Sequence, residues 1–269
     1  MNLLERNYNG VHYLTADGFT AAGGVCHGFS TRAGGVSEGP WASMNLGFSR
    51  GDDLSRVQEN YRRFLDAIGY QDDRIIMNRQ THGNIIRLIT SADGSRGLSP
   101  PTEEGDGLIT DVPGMLLVVF TADCIPILLY DPERRVVAAV HAGWRGTAAG
   151  IVSHAVERMT SVFGCHPEQI LAAIGPGIGQ CHFETHEDVP NALTEALGAS
   201  VFPFIQTRPA GKFNVDLKGI NADLLERAGL WKSHIAVSDV CTACHPDQYW
   251  SHRVHGTDRG SQAAMIALC

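Results

Sequence analysis

Apolar residues in this chain fall into short continuous runs of strand length, broken by polar clusters, and three stretches follow helical spacing instead. In LSRVQENYRRFLDAIG, Leu54, Val57, Tyr61, Phe64, Leu65 and Ile68 recur at helical intervals. Asp53 suits the N-cap of that helix and Gly69 its C-cap. A second helix is expected from about Thr147 in TAAGIVSHAVERMTSVFG, and a third after Asp216 in LKGINADLLERAGL. The strand-like runs are VCHGFS, the two halves of RIIMNRQTHGNIIRLIT around polar Asn78–Asn84, and MLLVVFTADCIPILLYD, interrupted at Thr121–Cys124. RRVVAAVHA, ILAAIG, IAVSDV and the final QAAMIAL complete the set. SADGSRGLSPPTEEGDG, residues 91–107, reads as a surface excursion, and Asn7–Gly18 carries no assignment.

Buried strand runs with helices between them predict an α/β fold. The length, 269 residues, fits one large domain spanning 1–269, and no repeat or linker divides it. Reactive side chains gather where apolar runs end: Gln80–His82, Asp123–Cys124, His141–Arg145, Cys181–His182 and Asp239–Cys241. In sheets of this class, strand ends and the loops after them build the site.

Composition narrows the function. A formal net charge of −8 with no Lys/Arg-rich run argues against a nucleic-acid partner. No run approaches the roughly 18 apolar residues of a membrane span, and MNLLERNYNG lacks the pattern of a secretion signal. The expectation is therefore a cytoplasmic protein whose seven cysteines are mostly reduced thiols, with Cys26, Cys165 and Cys269 structural or exposed. The 30 glycines, above the usual share, imply loops where the backbone closely approaches something.

His82, Cys124 and His141 each sit at the polar end or break of an apolar run, so neighbouring strands could bring them together. Two imidazoles and a thiolate suit Zn²⁺ with its fourth position open. The same residues also permit a metal-free Cys124–His141 nucleophile–base pair, or simply a buried thiol beside two hydrogen-bonded histidines. HAGWRGT, residues 141–147, turns from strand into helix, and Arg145 there could hold an anion. STRAGGVS adds Arg32, with Asn45 downstream, and SHRVHGTDRGSQAAM adds Arg253, His255 and Arg259. Asp106 and Asp123 are candidate carboxylates for orienting a histidine or moving a proton. Cys241 and Cys244 form C-T-A-C-H with His245, a short match to a haem or redox motif; without a second CxxC the plain reading is a polar loop with two thiols.

Taken in order, STRAGGVS, MNLG, RQTHG, DGLIT, TADCIPILLYD, VHAGWRGTAAGI, IGPGIGQCHFE and DVCT with SHR closely resemble the YfiH family of laccase-domain, polyphenol-oxidase-like proteins, from about Cys26 to the C-terminus. The resemblance implies a single-domain α/β sandwich with a mixed central sheet and flanking helices. It implies one zinc held by His82, Cys124 and His141. It also implies phosphorolysis of adenosine, inosine and S-methyl-5′-thioadenosine, together with hydrolytic deamination of adenosine. Cys124, His141 and Asp123 are then the catalytic candidates, and Arg32, Asn45, Arg145 and Arg253 the candidates for binding nucleoside and phosphate. The motif Gln80-Thr81-His82 departs from the family's frequent Gln-Val-His but keeps the ligand. The laccase label implies copper-dependent phenol oxidation; the clustered H-x-H pairs of a multicopper oxidase are missing here, which disfavours it. The alternatives are a metal-free cysteine amidohydrolase and a non-enzymatic nucleotide sensor. Oligomeric state is not legible.

Overall fold

Alternate residues of the long apolar runs enter different cores, so most strands are covered on both faces. Leu117 and Val119 face one apolar cluster while Leu116 and Val118 face another. Val137 and Ala139 part in the same way from Val136, Ala138 and Val140. The period of two in strand side chains produces this division.

The computed structural model describes residues 1–94 and 97–269. Its strands in chain order are β1 (Leu3–Tyr8), β2 (Val11–Ala16), β3 (Val25–Ser30), β4 (Ile75–Met77), β5 (Ile86–Leu88), β6 (Gly107–Thr110), β7 (Leu116–Thr121) and β8 (Ile125–Asp131). They continue with β9 (Val136–Ala142), β10 (Leu171–Ile174), β11 (Glu184–Thr185), β12 (Ile205–Arg208), β13 (Lys212–Val215), β14 (Ile235–Val237) and β15 (Gln262–Leu268). The helices are α1 (Asp17–Ala22), α2 (Leu54–Ala67), α3 (Trp144–Ala148), α4 (Ile151–Phe163), α5 (Asp188–Leu197), α6 (Leu217–Arg227) and α7 (His252–His255).

Two six-stranded sheets run β1-β2-β3-β15-β7-β4 and β14-β10-β8-β9-β6-β5, and a small sheet runs β11-β13-β12. Both large sheets are mixed: β4–β7, β5–β6 and β10–β14 pair parallel, while the remaining neighbours pair antiparallel. The two sheets share a core built from Leu117, Val119, Ala264 and Ile266 on one side and Leu128, Tyr130, Val137 and Ala139 on the other. Helix α2 covers the outer face of the first sheet through Val57, Tyr61 and Phe64. Helices α4, α5 and α6 cover the outer face of the second. The α/β sandwich with mixed sheets and flanking helices is thus observed, as two facing sheets. Each fully buried aliphatic side chain adds about 1.5–3 kcal/mol.

Several local expectations change. The helix expected from Thr147 is two pieces: α3 ends at Ala148, and Gly150 takes a left-handed conformation (φ 68°) before α4. The unassigned Asn7–Gly18 segment contains most of a β-hairpin, closed by Asn9 and Gly10, both at positive φ. Within tract 91–107, residues 95 and 96 lie outside the described residues; the rest is irregular until β6 begins. The thiols also differ from expectation, because Cys26 and Cys269 form a disulfide while five cysteines are unpaired. β3 and β15 are antiparallel neighbours with Ala267 opposite Cys26, so the last residue is delivered beside Cys26. A separation of 243 residues hid that proximity from sequence. No helix among the described residues is long and apolar enough to cross a membrane.

Candidate active site

β4, β7, β8 and β9 bring the three expected donors together. Cys124 sits in the short link between β7 and β8, His141 lies near the end of β9, and His82 follows β4 in the RQTHG turn. Their ligand atoms all lie within 4.8 Å of one another. The two imidazoles meet edge to face, with centroids 5.0 Å apart and planes 80° apart. Gly143 makes this approach possible: a Cβ there would stand 3.0 Å from His82 Cδ2 and 3.2 Å from Cys124 Sγ.

A single buried carboxylate organises the cluster. Asp106, 0% exposed, accepts 2.8 Å from His141 Nδ1. It also accepts from the backbone N–H groups of Thr81, His82 and Gly83 at 3.1, 3.0 and 2.8 Å, and from Thr81 Oγ1 at 3.1 Å. These bonds hold a turn in which His82 itself has φ 61°. Gln80 fixes the turn from the other side, donating to Phe120 O at 2.8 Å and accepting from Phe120 N–H at 2.7 Å. Burial opposes ionisation of Asp106, but the donors, His141 foremost, outweigh it and bring its pKa down to about 2. Burial likewise opposes charging of His141, yet the Cys124 thiolate and Asp106 raise it to about 9. For Cys124, burial is outweighed by the two imidazoles, which lower the thiol to about 6. The donor set fits one zinc with an open position: a readily ionised thiolate, two imidazoles, and a carboxylate orienting one of them.

The donors face a cavity of about 530 Å³. Phe48, Phe120, Trp144 and Phe183 give it aromatic walls, and Arg50, Arg253, Arg259 and His252 supply donors. Arg259 is 6% exposed; Nη1 donates to Gly260 O at 2.7 Å and to Ser261 Oγ at 3.3 Å, and its Nε has no partner. Arg50 Nε donates to the same Ser261 Oγ at 3.3 Å. Neither guanidinium has an ion-pair partner among the described residues. Burial, followed by the Arg50 charge, lowers Arg259 to about 10. A half-buried Arg50 beside a buried Arg259 with an unfilled donor places two like charges where an anion would be stabilised.

The candidate anion-binding residues separate accordingly. Arg253 lines the cavity, although its guanidinium donates to His182 O at 2.7 Å and Glu184 O at 3.1 Å. Asp123, at φ 89°, also lines it; its carboxylate accepts from Thr242 Oγ1 and Arg253 N–H, both at 2.6 Å. Arg32, Asn45 and Arg145 are not among the lining residues. Arg32 stacks 4.1 Å from the Trp250 ring centroid and donates to Ala42 O and Pro246 O, tying two loops together. Asn45 is fully buried, bonded to Asp52, Gly47 and Ser261. Arg145 is exposed and lies over the Trp144 ring. The HAGWRG glycines thus serve packing: Gly143 admits His82 and Cys124, and a Cβ on Gly146 would meet Gly83 O at 2.9 Å. Arg259 lies in the cationic tract SHRVHGTDRGSQAAM, whereas Arg50 carries no sequence signal beyond its charge.

Comparison with known proteins gives the family. Residues 26–269 match the family model described as multi-copper polyphenol oxidoreductase laccase. The chain belongs to this family. The YlmD protein of Geobacillus stearothermophilus, named a purine nucleoside phosphorylase, is 38% identical over 91% of this chain and 89% of its own. Its crystal structure superposes with a TM-score of 0.92 at 34% identity, covering 100% of this chain and 99% of that one. A protein of Deinococcus radiodurans, also named a purine nucleoside phosphorylase, is 39% identical over 91% of this chain and 89% of its own. The crystal structure of Bacillus licheniformis YfiH superposes with a TM-score of 0.92 at 31% identity, over 98% of this chain and 99% of that one.

Proposed function

We propose that this chain is a zinc-dependent purine nucleoside phosphorylase acting on adenosine, inosine and S-methyl-5′-thioadenosine. The observation that carries the reading is one cavity joining three elements: the His82–Cys124–His141 donor set, aromatic walls, and the Arg50/Arg259 anion pocket. The names of the relatives support it. When bound, zinc supplies an electrophile for a substrate heteroatom. The chain's own residues do the rest. Phe48, Phe120, Trp144 and Phe183 hold the base, giving large apolar contact and ring geometry suited to stacking. Arg50 and Arg259 hold phosphate through charge-assisted hydrogen bonds, and its oxygen attacks the anomeric carbon as the bond to the purine nitrogen breaks. Asp106 fixes the His141 ring through Nδ1, which would leave Nε2 to hold the metal.

The same centre would deaminate adenosine, with Asp123 the one carboxylate among the described lining residues to move the proton. Copper-dependent phenol oxidation fits less well, because this cavity gathers one three-donor cluster with only two imidazoles. A metal-free Cys124–His141 nucleophile pair is the second reading, favoured by the lowered thiol. To test the proposal, zinc-loaded protein is incubated with inosine and phosphate and the products are separated by chromatography. Hypoxanthine release that requires phosphate and disappears in His82→Ala supports it. Turnover by zinc-free protein that iodoacetamide abolishes at Cys124 supports the pair instead.

A further inference from the structure

We propose that Cys181, His182, Cys241 and Cys244 form a second, closed metal site of the zinc type, which clasps two loops that wall the cavity. The donors come from segments that look unrelated in sequence. Cys181 and His182 lie in the loop after β10, and Cys241 and Cys244 in the loop after β14. β10 and β14 are parallel neighbours, so both loops leave the sheet at the same end, and Gly177 bridges to Cys241.

Four of the six donor–donor separations lie close to the edges of a tetrahedron. With Zn–S near 2.3 Å and Zn–N near 2.0–2.1 Å, ideal edges are about 3.8 Å between sulfurs and about 3.6 Å between sulfur and nitrogen. Cys181 Sγ and Cys244 Sγ are 3.6 Å apart. His182 Nδ1 lies 3.3 Å from Cys181 Sγ, 3.3 Å from Cys244 Sγ and 3.7 Å from Cys241 Sγ. All four donors fall within 4.8 Å of one another. This is a complete four-ligand set, three soft thiolates and one imidazole, which selects zinc over magnesium, calcium or manganese.

The surroundings suit a charged thiolate cluster. Zinc with three thiolates carries a net charge of about −1. Cys241, 5% exposed, accepts from Gly179 N–H at 3.1 Å, a bond that favours the thiolate. The Lys218 ammonium is buried nearby, donating to Ser238 O at 2.7 Å and Val240 O at 2.9 Å, just before Cys241. The site lies beside the cavity. Ile178 and Phe183 flank its first ligand pair and line the cavity. The carbonyl of His182 receives Arg253, and Thr242, next to Cys241, holds Asp123. A metal here would fix the wall without touching substrate.

The test is metal content of the full chain, purified with zinc and freed of excess, read by mass spectrometry of the elements. The expectation is about two zinc per chain, falling to about one in Cys244→Ser and also to about one in His82→Ala. In cobalt-loaded His82→Ala, which leaves every ligand of the second site unaltered, an intense sulfur-to-cobalt charge-transfer band is expected, along with the visible bands of a tetrahedral ion. In Cys244→Ser, amide exchange across 177–184 should accelerate by at least tenfold while far-ultraviolet circular dichroism is retained. One zinc in the parent protein that is lost in His82→Ala and kept in Cys244→Ser overturns the proposal. So does a disulfide among Cys181, Cys241 and Cys244 mapped after thiol blocking, or a cobalt-loaded His82→Ala without charge transfer.

Discussion

Two Cys/His clusters flank one cavity wall, one where β4, β7, β8 and β9 of both large sheets meet and the other on the loops after β10 and β14, and they differ in donor set and in support. The cavity cluster has two imidazoles and one thiol, three donors in all, and it faces open space between aromatic walls. The loop cluster has three thiols and one imidazole, four donors, and no lining role in the cavity. A three-donor set keeps a coordination position for substrate; a four-donor set of mostly thiolates does not. Their supports differ too. A fully buried carboxylate aims His141, whereas the loop cluster rests on a backbone N–H and a nearby lysine.

That contrast can be broken most sharply at the cavity. His141→Ala should lower phosphorolysis by about 10³-fold, since metal-assisted charge stabilisation amounts to several kcal/mol. Steady-state kinetics beside metal analysis check this; an unchanged rate would make both clusters structural. Asp106→Asn should weaken zinc binding at the cavity by about 10–100-fold while leaving the loop site filled. Competition with a chromophoric chelator measures it, and equal weakening of both sites would deny Asp106 its orienting role. Arg259→Met should raise the phosphate KM by roughly 10–100-fold, the worth of a hydrogen bond to a charged group, without changing zinc content.

A last effect lies outside both clusters and concerns acid, which strips metal from thiolates and must be separated from unfolding. Burial holds His27 neutral, with its pKa near 4 instead of 6.5, and Nε2 accepts from the Ala16 N–H at 2.8 Å. The unfolded chain therefore binds the extra proton first. The stability His27 contributes is intact above about pH 6.5 and is lost as pH falls toward 4, at most about 3 kcal/mol. A His27→Gln variant should flatten the fall in thermal midpoint between pH 7 and 4. An equally steep fall in that variant would assign the acid effect to other groups.

Much of this architecture is legible in the chain because it rests on local patterns. Asp53 caps α2 as its spacing predicts, accepting from Ser55 N–H at 2.8 Å, and the helix's apolar stripe is the face that packs. The cavity donors are legible because each interrupts an apolar run. What stays hidden depends on strand order. Cys181 and His182 meet Cys241 and Cys244 only because β10 and β14 pair, and Cys26 meets Cys269 only because β3 and β15 pair. Arg32 and Arg145 look like anion binders in Gly-rich loops, yet stacking on Trp250 and Trp144 occupies them. Arg50 and Arg259 converge through Ser261 from positions more than 200 residues apart.

The most direct test of the central claim is phosphorus NMR of zinc-loaded protein with inosine and inorganic phosphate. A ribose 1-phosphate signal growing in step with hypoxanthine is expected, absent in Cys124→Ser. Hypoxanthine appearing without that signal, or the signal persisting in Cys124→Ser, would contradict it.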